Sequence, residues 1–296
     1  MPPRPPPTHF LCIPLVTGAS RPQLAASIGS FKADVTSPDS GLGNIPEQAV
    51  RPVGTVHLTL GVMSFPRDEG LDQAVALLKS LVPRQILAGL VDNKTNIAAA
   101  AAATTTAAVT TTTATAAVAT TLAATDADPA SDPVPPPSPP LLSVTLRGLH
   151  SMQPASKATV LYTAPVVTPD IGGSSASLLL PFCERLRSAF QEAGLMAEED
   201  RPLLLHATIV NTIYVKGRNR GGGGGKRKRE RLTVDARGIL DRYDDFVWME
   251  NVPVEKVAIC RMGAKKLGKG EGDGEGGGDG EDEDEAYEVE AEIDLA

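Results

Sequence analysis

Two histidines of this chain stand in matching short motifs. The segments are His57-Leu58-Thr59-Leu60 and His206-Ala207-Thr208-Ile209, and the chain's other two histidines, His9 and His150, lack the following x-Thr. Side chains alternate between the two faces of a β-strand, so each motif in a strand would place His and Thr on one face. The two apolar residues of each motif would then pack beneath that polar pair.

A His-x-Thr strand has the groups needed to handle a phosphate. Residues two apart on a strand lie about 6.5–7 Å apart at Cα, a span that one phosphate group can bridge. The hydroxyl can donate a hydrogen bond to a phosphate oxygen, and an imidazole with a pKa of about 6.5 can transfer a proton at neutral pH. Phosphodiester cleavage needs one base and one acid. One such motif is usually structural, but two copies facing across a cleft would supply both.

Hydrophobic periodicity predicts the elements that position these motifs. Strands are predicted at 9–16, 55–63, 142–149, 159–167, 203–215, 252–262 and 287–293, and those at 142–149 and 159–167 are expected to form a hairpin. Helices are predicted at 21–34, 69–82, 236–246 and from Pro181 to a C-cap at Gly194, with Leu178 and Leu179 left open. Each half of the chain then contains a strand, a helix and a strand that carries a His-x-Thr motif. This pattern predicts an α+β fold of two related lobes.

Three stretches of low complexity interrupt this pattern. They are an Ala/Thr-rich and then Pro-rich stretch at 95–140, a basic Gly-rich loop at 217–230 and an acidic Gly-rich loop at 264–285, and we expect all three to be disordered insertions. The net charge of −8 is dominated by nine carboxylates within 270–285, so it says little about the folded part. The basic run Lys226-Arg227-Lys228-Arg229 is consistent with a nuclear localisation signal, a nucleic-acid contact or a solvated loop.

The cysteines and the apolar content predict a compartment. Cys12, Cys183 and Cys260 are far apart and form no C-x-x-C pair, which favours buried free thiols in a reducing environment. The sequence has neither the apolar run of a signal peptide nor the ~20 apolar residues of a membrane span. We therefore expect a soluble intracellular protein, in the nucleus, the cytoplasm or both.

The paired motifs resemble the His-x-Thr/Ser-x signatures of the 2H phosphoesterase superfamily. Further segments resemble its A-kinase anchor protein 7-like (2′-5′ RNA ligase-like) domain, which also forms the C-terminal part of activating signal cointegrator 1 complex subunit 1: residues 8–11, 56–63, 205–212, 235–240 and 260–263. The resemblance spans residues 8–294 apart from the three insertions.

This resemblance implies a two-lobed, duplicated LigT-like fold with a central cleft between two antiparallel sheets. It also implies catalysis by His57 and His206, phosphate binding by Thr59 and Thr208, and no metal or other cofactor. The implied enzyme is a 2H-type phosphodiesterase acting on RNA with 2′,3′-cyclic phosphate ends or on 2′-5′ linked oligonucleotides. Separately, we expect the protein to be a monomer. Which histidine is the base and which the acid stays open. The alternative is an RNA- or protein-binding subunit of a transcription-coactivator or repair complex that uses the same cleft without turnover.

Overall fold

Two antiparallel sheets of four strands each form the frame of the protein. The computed structural model describes residues 5–42, 45–92, 142–166, 176–198, 201–215, 231–267 and 284–295. The long low-complexity insertion, the basic loop 217–230 and most of the acidic loop lie outside these residues.

The first sheet contains the strands β1 (His9–Pro14), β2 (His57–Met63), β7 (Lys256–Arg261) and β10 (Val289–Asp294). Their spatial order is β10-β7-β1-β2. The alternation of β1 divides its side chains between two faces: Leu11 and Ile13 enter the main core, whereas Phe10 and Cys12 pack with Ala258 and Cys260 on the opposite face.

The second sheet contains the strands β3 (Ser143–Ser151), β4 (Val160–Pro165), β5 (Ala207–Asn211) and β6 (Val247–Pro253). Their spatial order is β5-β4-β3-β6. The predicted hairpin of β3 and β4 is confirmed by their antiparallel pairing. A separate two-stranded ribbon pairs β8 (Lys265–Lys266) with β9 (Glu285–Ala286).

Five helices pack around the sheets in the described residues: α1 (Arg21–Thr36), α2 (Leu71–Ser80), α3 (Pro83–Asp92), α4 (Ala176–Glu192) and α5 (Arg237–Arg242). Helix α1 lies against the second sheet, because Ser27 Oγ donates to the Trp248 carbonyl oxygen at 2.8 Å and the Phe31 ring meets the Trp248 ring edge-on. Buried apolar side chains from both sheets and their helices form one large cluster, so the two sheets share a core.

The strands that carry the two motifs are edge strands that meet at the boundary between the sheets. β2 ends the first sheet and β5 ends the second. The segment before β2 joins them: Val50 forms a β-bridge with Val210, and the Arg51 amide donates to the Ile209 carbonyl oxygen at 2.8 Å. The predicted α+β architecture of two antiparallel sheets is therefore confirmed.

The lobes are not the two halves of the sequence. After β5 the chain adds β6 to the second sheet and then returns to complete the first sheet with β7 and β10. A linear pass along the sequence cannot reveal this exchange, because strand pairing over such separations leaves no local pattern.

Two predicted boundaries are wrong, and one that was left open is settled. The single strand expected at 203–215 is shorter, because Asn211 ends β5 by accepting a hydrogen bond from the Ile213 amide at 3.1 Å and starting a 3-10 turn. Helix α4 begins before Pro181 and includes Leu178 and Leu179, both buried. The acidic insertion is narrower than predicted, since residues at both of its ends form the β8–β9 ribbon.

The three cysteines are buried free thiols, as predicted, with Cys12 Sγ 3.8 Å from Cys260 Sγ. Within the described ranges no single helix is long and apolar enough to cross a membrane, although α2 and α3, bent by 55° at their junction, meet that length and composition as a pair.

Candidate active site

The strand parity predicted for the first motif is confirmed. Leu58 and Leu60 are fully buried in the core, whereas His57 and Thr59 are partly exposed on the opposite face. In the second motif Ala207 and Ile209 are fully buried, Thr208 is partly exposed, and His206 directly precedes β5.

Both histidines are held through the same atom and in the same way. His57 Nδ1 lies 2.7 Å from the carbonyl oxygen of Thr55, and His206 Nδ1 lies 2.9 Å from the carbonyl oxygen of Leu204. A carbonyl oxygen can only accept, so each Nδ1 carries the proton. In the neutral ring Nε2 is then the unprotonated nitrogen, and it is the one left to exchange a proton.

The first motif is already internally connected. The Thr59 hydroxyl lies 3.0 Å from His57 Nε2, where it donates to the unprotonated nitrogen. The pKa of His57 is lowered to about 4, chiefly because burial disfavours the charged ring; the hydrogen bond to the Thr55 carbonyl opposes this shift, and His206 and Arg51 add to it. His57 is therefore neutral at pH 7.

Aromatic side chains fix both imidazoles. The Phe10 ring lies 4.8 Å from that of His57, and the Tyr287 ring meets His57 edge-on at 5.2 Å. On the second sheet the Tyr162 ring lies 5.5 Å from that of His206. Such contacts restrict ring rotation and keep Nε2 in place.

Arg51 and Tyr214 occupy the boundary between the sheets. The Arg51 guanidinium is buried, with 5% of the residue exposed, and its central carbon lies 3.7 Å from the Tyr214 ring centroid. The hydroxyl of Tyr287 interacts with both of them. Arg51, Tyr214 and Tyr287 therefore connect the surroundings of His57 to the 3-10 turn that follows β5.

Three neighbours of the motifs were not predicted from the sequence: Arg51, Tyr162 and Tyr287. Tyr162 had a detectable signal, because it lies in a predicted hairpin strand and pairs with Thr208 once β4 and β5 are placed side by side. Arg51 and Tyr287 had none, since they are joined to the site only by the pairing of distant segments.

The remaining histidines lie in strands. His9 is buried in β1, with Nδ1 2.8 Å from the Thr8 hydroxyl and Nε2 3.5 Å from Glu290 Oε1. His150 is exposed on β3 and its ring lies 5.5 Å from that of Tyr162. Phe65, an aromatic residue that could have stacked on a base, is buried against His9 and belongs to the core. The basic run at 226–229 lies outside the described residues.

In the part of the chain that the structure describes, no three His, Cys, Asp or Glu side chains converge as metal ligands would. The side chains that converge on the boundary between the sheets are imidazoles, hydroxyls, aromatic rings and the Arg51 guanidinium, with the Glu285 carboxylate 3.7 Å from Arg51 Nη2.

Several known proteins are similar to this chain. An uncharacterized protein of Schizosaccharomyces pombe is 29% identical over 108 residues, which are 36% of this chain and 42% of that protein. The match thus spans less than half the length of this curated relative.

Solved structures similar to the chain include a phosphoesterase (13% identity, TM-score 0.44, 98% of this chain and 99% of that chain) and LigT of E. coli complexed with 3′-AMP (13% identity, TM-score 0.42, 98% and 99%). TT0787 of Thermus thermophilus is 14% identical with a TM-score of 0.41, covering 97% of each chain.

The sequence also matches a family model from residue 7 to residue 270, which is most of its length, and that model describes the AKAP7 2′5′ RNA ligase-like domain. This extent confirms the family expected from the two motifs and their flanking segments. The resemblance to the cointegrator subunit in particular stays a prediction. The chain belongs to the family of the AKAP7 2′5′ RNA ligase-like domain.

Proposed function

We propose that this chain is a phosphodiesterase that hydrolyses RNA-type phosphodiesters, either 2′,3′-cyclic phosphate ends or 2′-5′ linkages, with His57 and His206 as its proton-transfer groups. The observation that carries the proposal is the shared Nδ1 anchor of the two histidines. In each ring Nε2 is thus the nitrogen that the backbone does not hold, and the two rings lie on either side of the boundary between the sheets.

His57 is the general base in this proposal. Its pKa of about 4 keeps Nε2 unprotonated at neutral pH, which a base requires. His206 is the general acid and donates its proton from Nε2. The Thr59 hydroxyl, which donates to His57 Nε2, turns to a non-bridging phosphate oxygen when substrate binds and frees the nitrogen, and Thr208 donates to the phosphate from the other motif.

For a cyclic phosphate, His57 removes a proton from a water molecule whose oxygen attacks phosphorus. The bond from phosphorus to one ribose oxygen breaks, and His206 donates its Nε2 proton to that oxygen. The proton taken by His57 and the proton lost by His206 balance over the step, and exchange with solvent resets both rings. For a 2′-5′ linkage the neighbouring 3′-hydroxyl replaces water as the nucleophile.

The test measures turnover of 2′,3′-cyclic AMP and of 2′-5′ oligoadenylate by the full chain in the presence of EDTA, with His57→Ala and His206→Ala alongside. We expect turnover by the wild type and a loss of at least about 100-fold in each variant. Absence of wild-type turnover on every such substrate would overturn the enzymatic proposal and favour a binding subunit. Turnover that survives both substitutions would overturn the site.

A further inference from the structure

A cavity of about 910 Å³ opens between the segment that precedes β2, helix α1 and the β8–β9 ribbon. Its lining includes Arg51 and Tyr214 at the boundary between the sheets, Ile28 and Lys32 of α1, and Glu285 of the β8–β9 ribbon. Its volume falls in the range of about 300–1,000 Å³ that is usual for small-molecule sites. Tyr287 links it to the candidate active site, because its ring meets that of His57 edge-on at 5.2 Å and its hydroxyl interacts with Arg51.

Arg51 presents an unused donor to this cavity. Its Nη2 atom is buried and has no hydrogen-bond partner in the structure. The nearest anionic group in the described residues is the Glu285 carboxylate, at 3.7 Å from Nη2, beyond the distance of a hydrogen bond. A buried guanidinium donor without a partner is costly, and a planar guanidinium matches the oxygens of a phosphate.

Two other cations at the cavity are better paired than Arg51. Arg21 Nη1 lies 2.6 Å from Asp284 Oδ2, and Lys32 Nζ lies 2.8 Å from Glu47 Oε1. An incoming anion is therefore stabilised most at Arg51, because Nη2 has no hydrogen-bond partner and its ion pair with Glu285 is long.

We infer that this cavity binds the second phosphate of an oligonucleotide end, on Nη2 of Arg51, with Tyr214 beside the adjoining nucleoside. The inference rests on the proposed function for the position of the first phosphate, which lies at the two motifs. The preferred substrate is then an RNA end that carries at least one further phosphodiester, and a mononucleotide binds less tightly.

Glu285 is the internal competitor for this site. The ribbon holds it close, because Asp284 Oδ1 accepts from the Gly54 amide at 2.8 Å and a Cβ at Gly54 would collide with the Glu285 carbonyl oxygen. A bound phosphate must displace or repel the Glu285 carboxylate. Removing that charge should strengthen binding of an anion.

The experiment measures binding by calorimetry with the full chain, so it needs no turnover. The ligands are 3′-AMP, with one phosphate, ApAp, which adds a phosphodiester and a nucleoside, and adenosine 3′,5′-bisphosphate, which adds a phosphate alone. We expect wild type to bind ApAp about 10–100-fold more tightly than 3′-AMP, the effect of one charge-assisted hydrogen bond, with the bisphosphate in between.

Three variants locate the preference. Arg51→Gln should reduce the preference for ApAp to within about 3-fold, Glu285→Gln should increase it several-fold, and the exposed Arg237→Gln should leave it unchanged. A purely structural role for Arg51 would weaken both ligands in parallel. If Arg51→Gln fails to fold, the wild-type preference and its increase in Glu285→Gln decide the matter.

Equal affinity of wild type for ApAp and 3′-AMP would overturn this inference, and so would a preference that Arg51→Gln retains. Equal affinity for ApAp and the bisphosphate would overturn the oligonucleotide class. Hydrolysis without a preference for ApAp would rule out this phosphate site and leave the proposed function standing. An Arg51-dependent preference without hydrolysis would rule out the proposed function and leave the phosphate site standing.

Discussion

His57 donates from Nδ1 to the carbonyl oxygen of Thr55, two residues before it, across 2.7 Å. His206 repeats this relationship with Leu204 at 2.9 Å. The bond selects the tautomer of each ring through the backbone, so the reactive nitrogen is set by local chain geometry. Two segments on different sheets have thus arrived at the same local arrangement, which strengthens their interpretation as one composite site.

The low pKa of His57 predicts the acid limb of the pH profile. With a pKa of about 4 in the free protein, His57 is an unprotonated base above that pH and is lost as a base below it. We expect kcat/KM for 2′,3′-cyclic AMP to fall on the acid side with an apparent pKa of about 4 to 5, because kcat/KM reports the free enzyme.

The matched variant for this profile is Arg51→Gln, since the charge of Arg51 lowers the same pKa. Its acid limb should move to higher pH. An acid limb near the ordinary histidine pKa of about 6.5 in the wild type would contradict the assignment of His57 as the low-pKa base.

The same pKa predicts how stability depends on pH. The unfolded chain, with an ordinary histidine pKa of about 6.5, binds more protons than the native His57 between about pH 4 and 6.5. The contribution of His57 to the free energy of unfolding is therefore fully present above about pH 6.5. As the pH falls towards about 4, the protein loses on the order of 2–3 kcal/mol of stability through this residue.

Urea unfolding of wild type and His57→Gln at several pH values measures this contribution. As the pH falls from about 7 to about 4, the free energy of unfolding of the wild type should decrease relative to that of His57→Gln. A difference that stays constant over this range would mean that burial does not penalise the charged form of His57.

The hydroxyls of the two motifs are predicted to bind phosphate. Thr59→Val keeps the shape of the side chain and removes the donor, so we expect kcat/KM to fall about 10–100-fold, as for a hydrogen bond to a charged group. Thr208→Val should have a similar effect, and Thr59→Ser should restore most of the activity.

Thr36→Val is the control for these threonines, because its hydroxyl donates to the Lys32 carbonyl oxygen within α1, away from the motifs. Activity of Thr59→Val comparable to that of Thr36→Val would rule out a role for the first hydroxyl.

Tyr287 is predicted to position His57. Its ring meets His57 edge-on at 5.2 Å and Phe10 at 4.9 Å. Tyr287→Leu should therefore release the imidazole and lower kcat about 10-fold, with a smaller loss in Tyr287→Phe. Rate measurements at saturating substrate separate the two variants. If kcat falls equally in Tyr287→Leu and Tyr287→Phe, the effect comes from the hydroxyl and its contact with Arg51 instead.

Local patterns were enough to predict the groups at the centre of the candidate site and the faces on which they lie. The alternation of Leu58 and Leu60 with His57 and Thr59 is a property of one strand, and the burial of the two leucines fixes it. The strands β1, β3, β4, β7 and β10 and the helices α1, α2 and α5 were also predicted from their periodicity or flanking residues, to within a few positions.

Relationships between distant segments could not be predicted in this way. Arg51 reaches the site because its amide pairs with Ile209 of the other sheet, and Tyr287 reaches it through β10 and its neighbours. Pro181 is typical of a helix start, yet α4 runs through it, because packing of Leu178 and Leu179 in the core stabilises the turn before it. Tertiary contacts decided each of these cases.

The central claim is that His57 and His206 act as one unit on one phosphate, and a double-variant comparison tests it most directly. The measurement is kcat on 2′,3′-cyclic AMP for wild type, His57→Ala, His206→Ala and the double variant. Because a base and an acid that serve the same step are not additive, the double variant should be no more than a few-fold slower than either single one. Losses that multiply in the double variant, or substantial turnover in either single variant, would contradict the account.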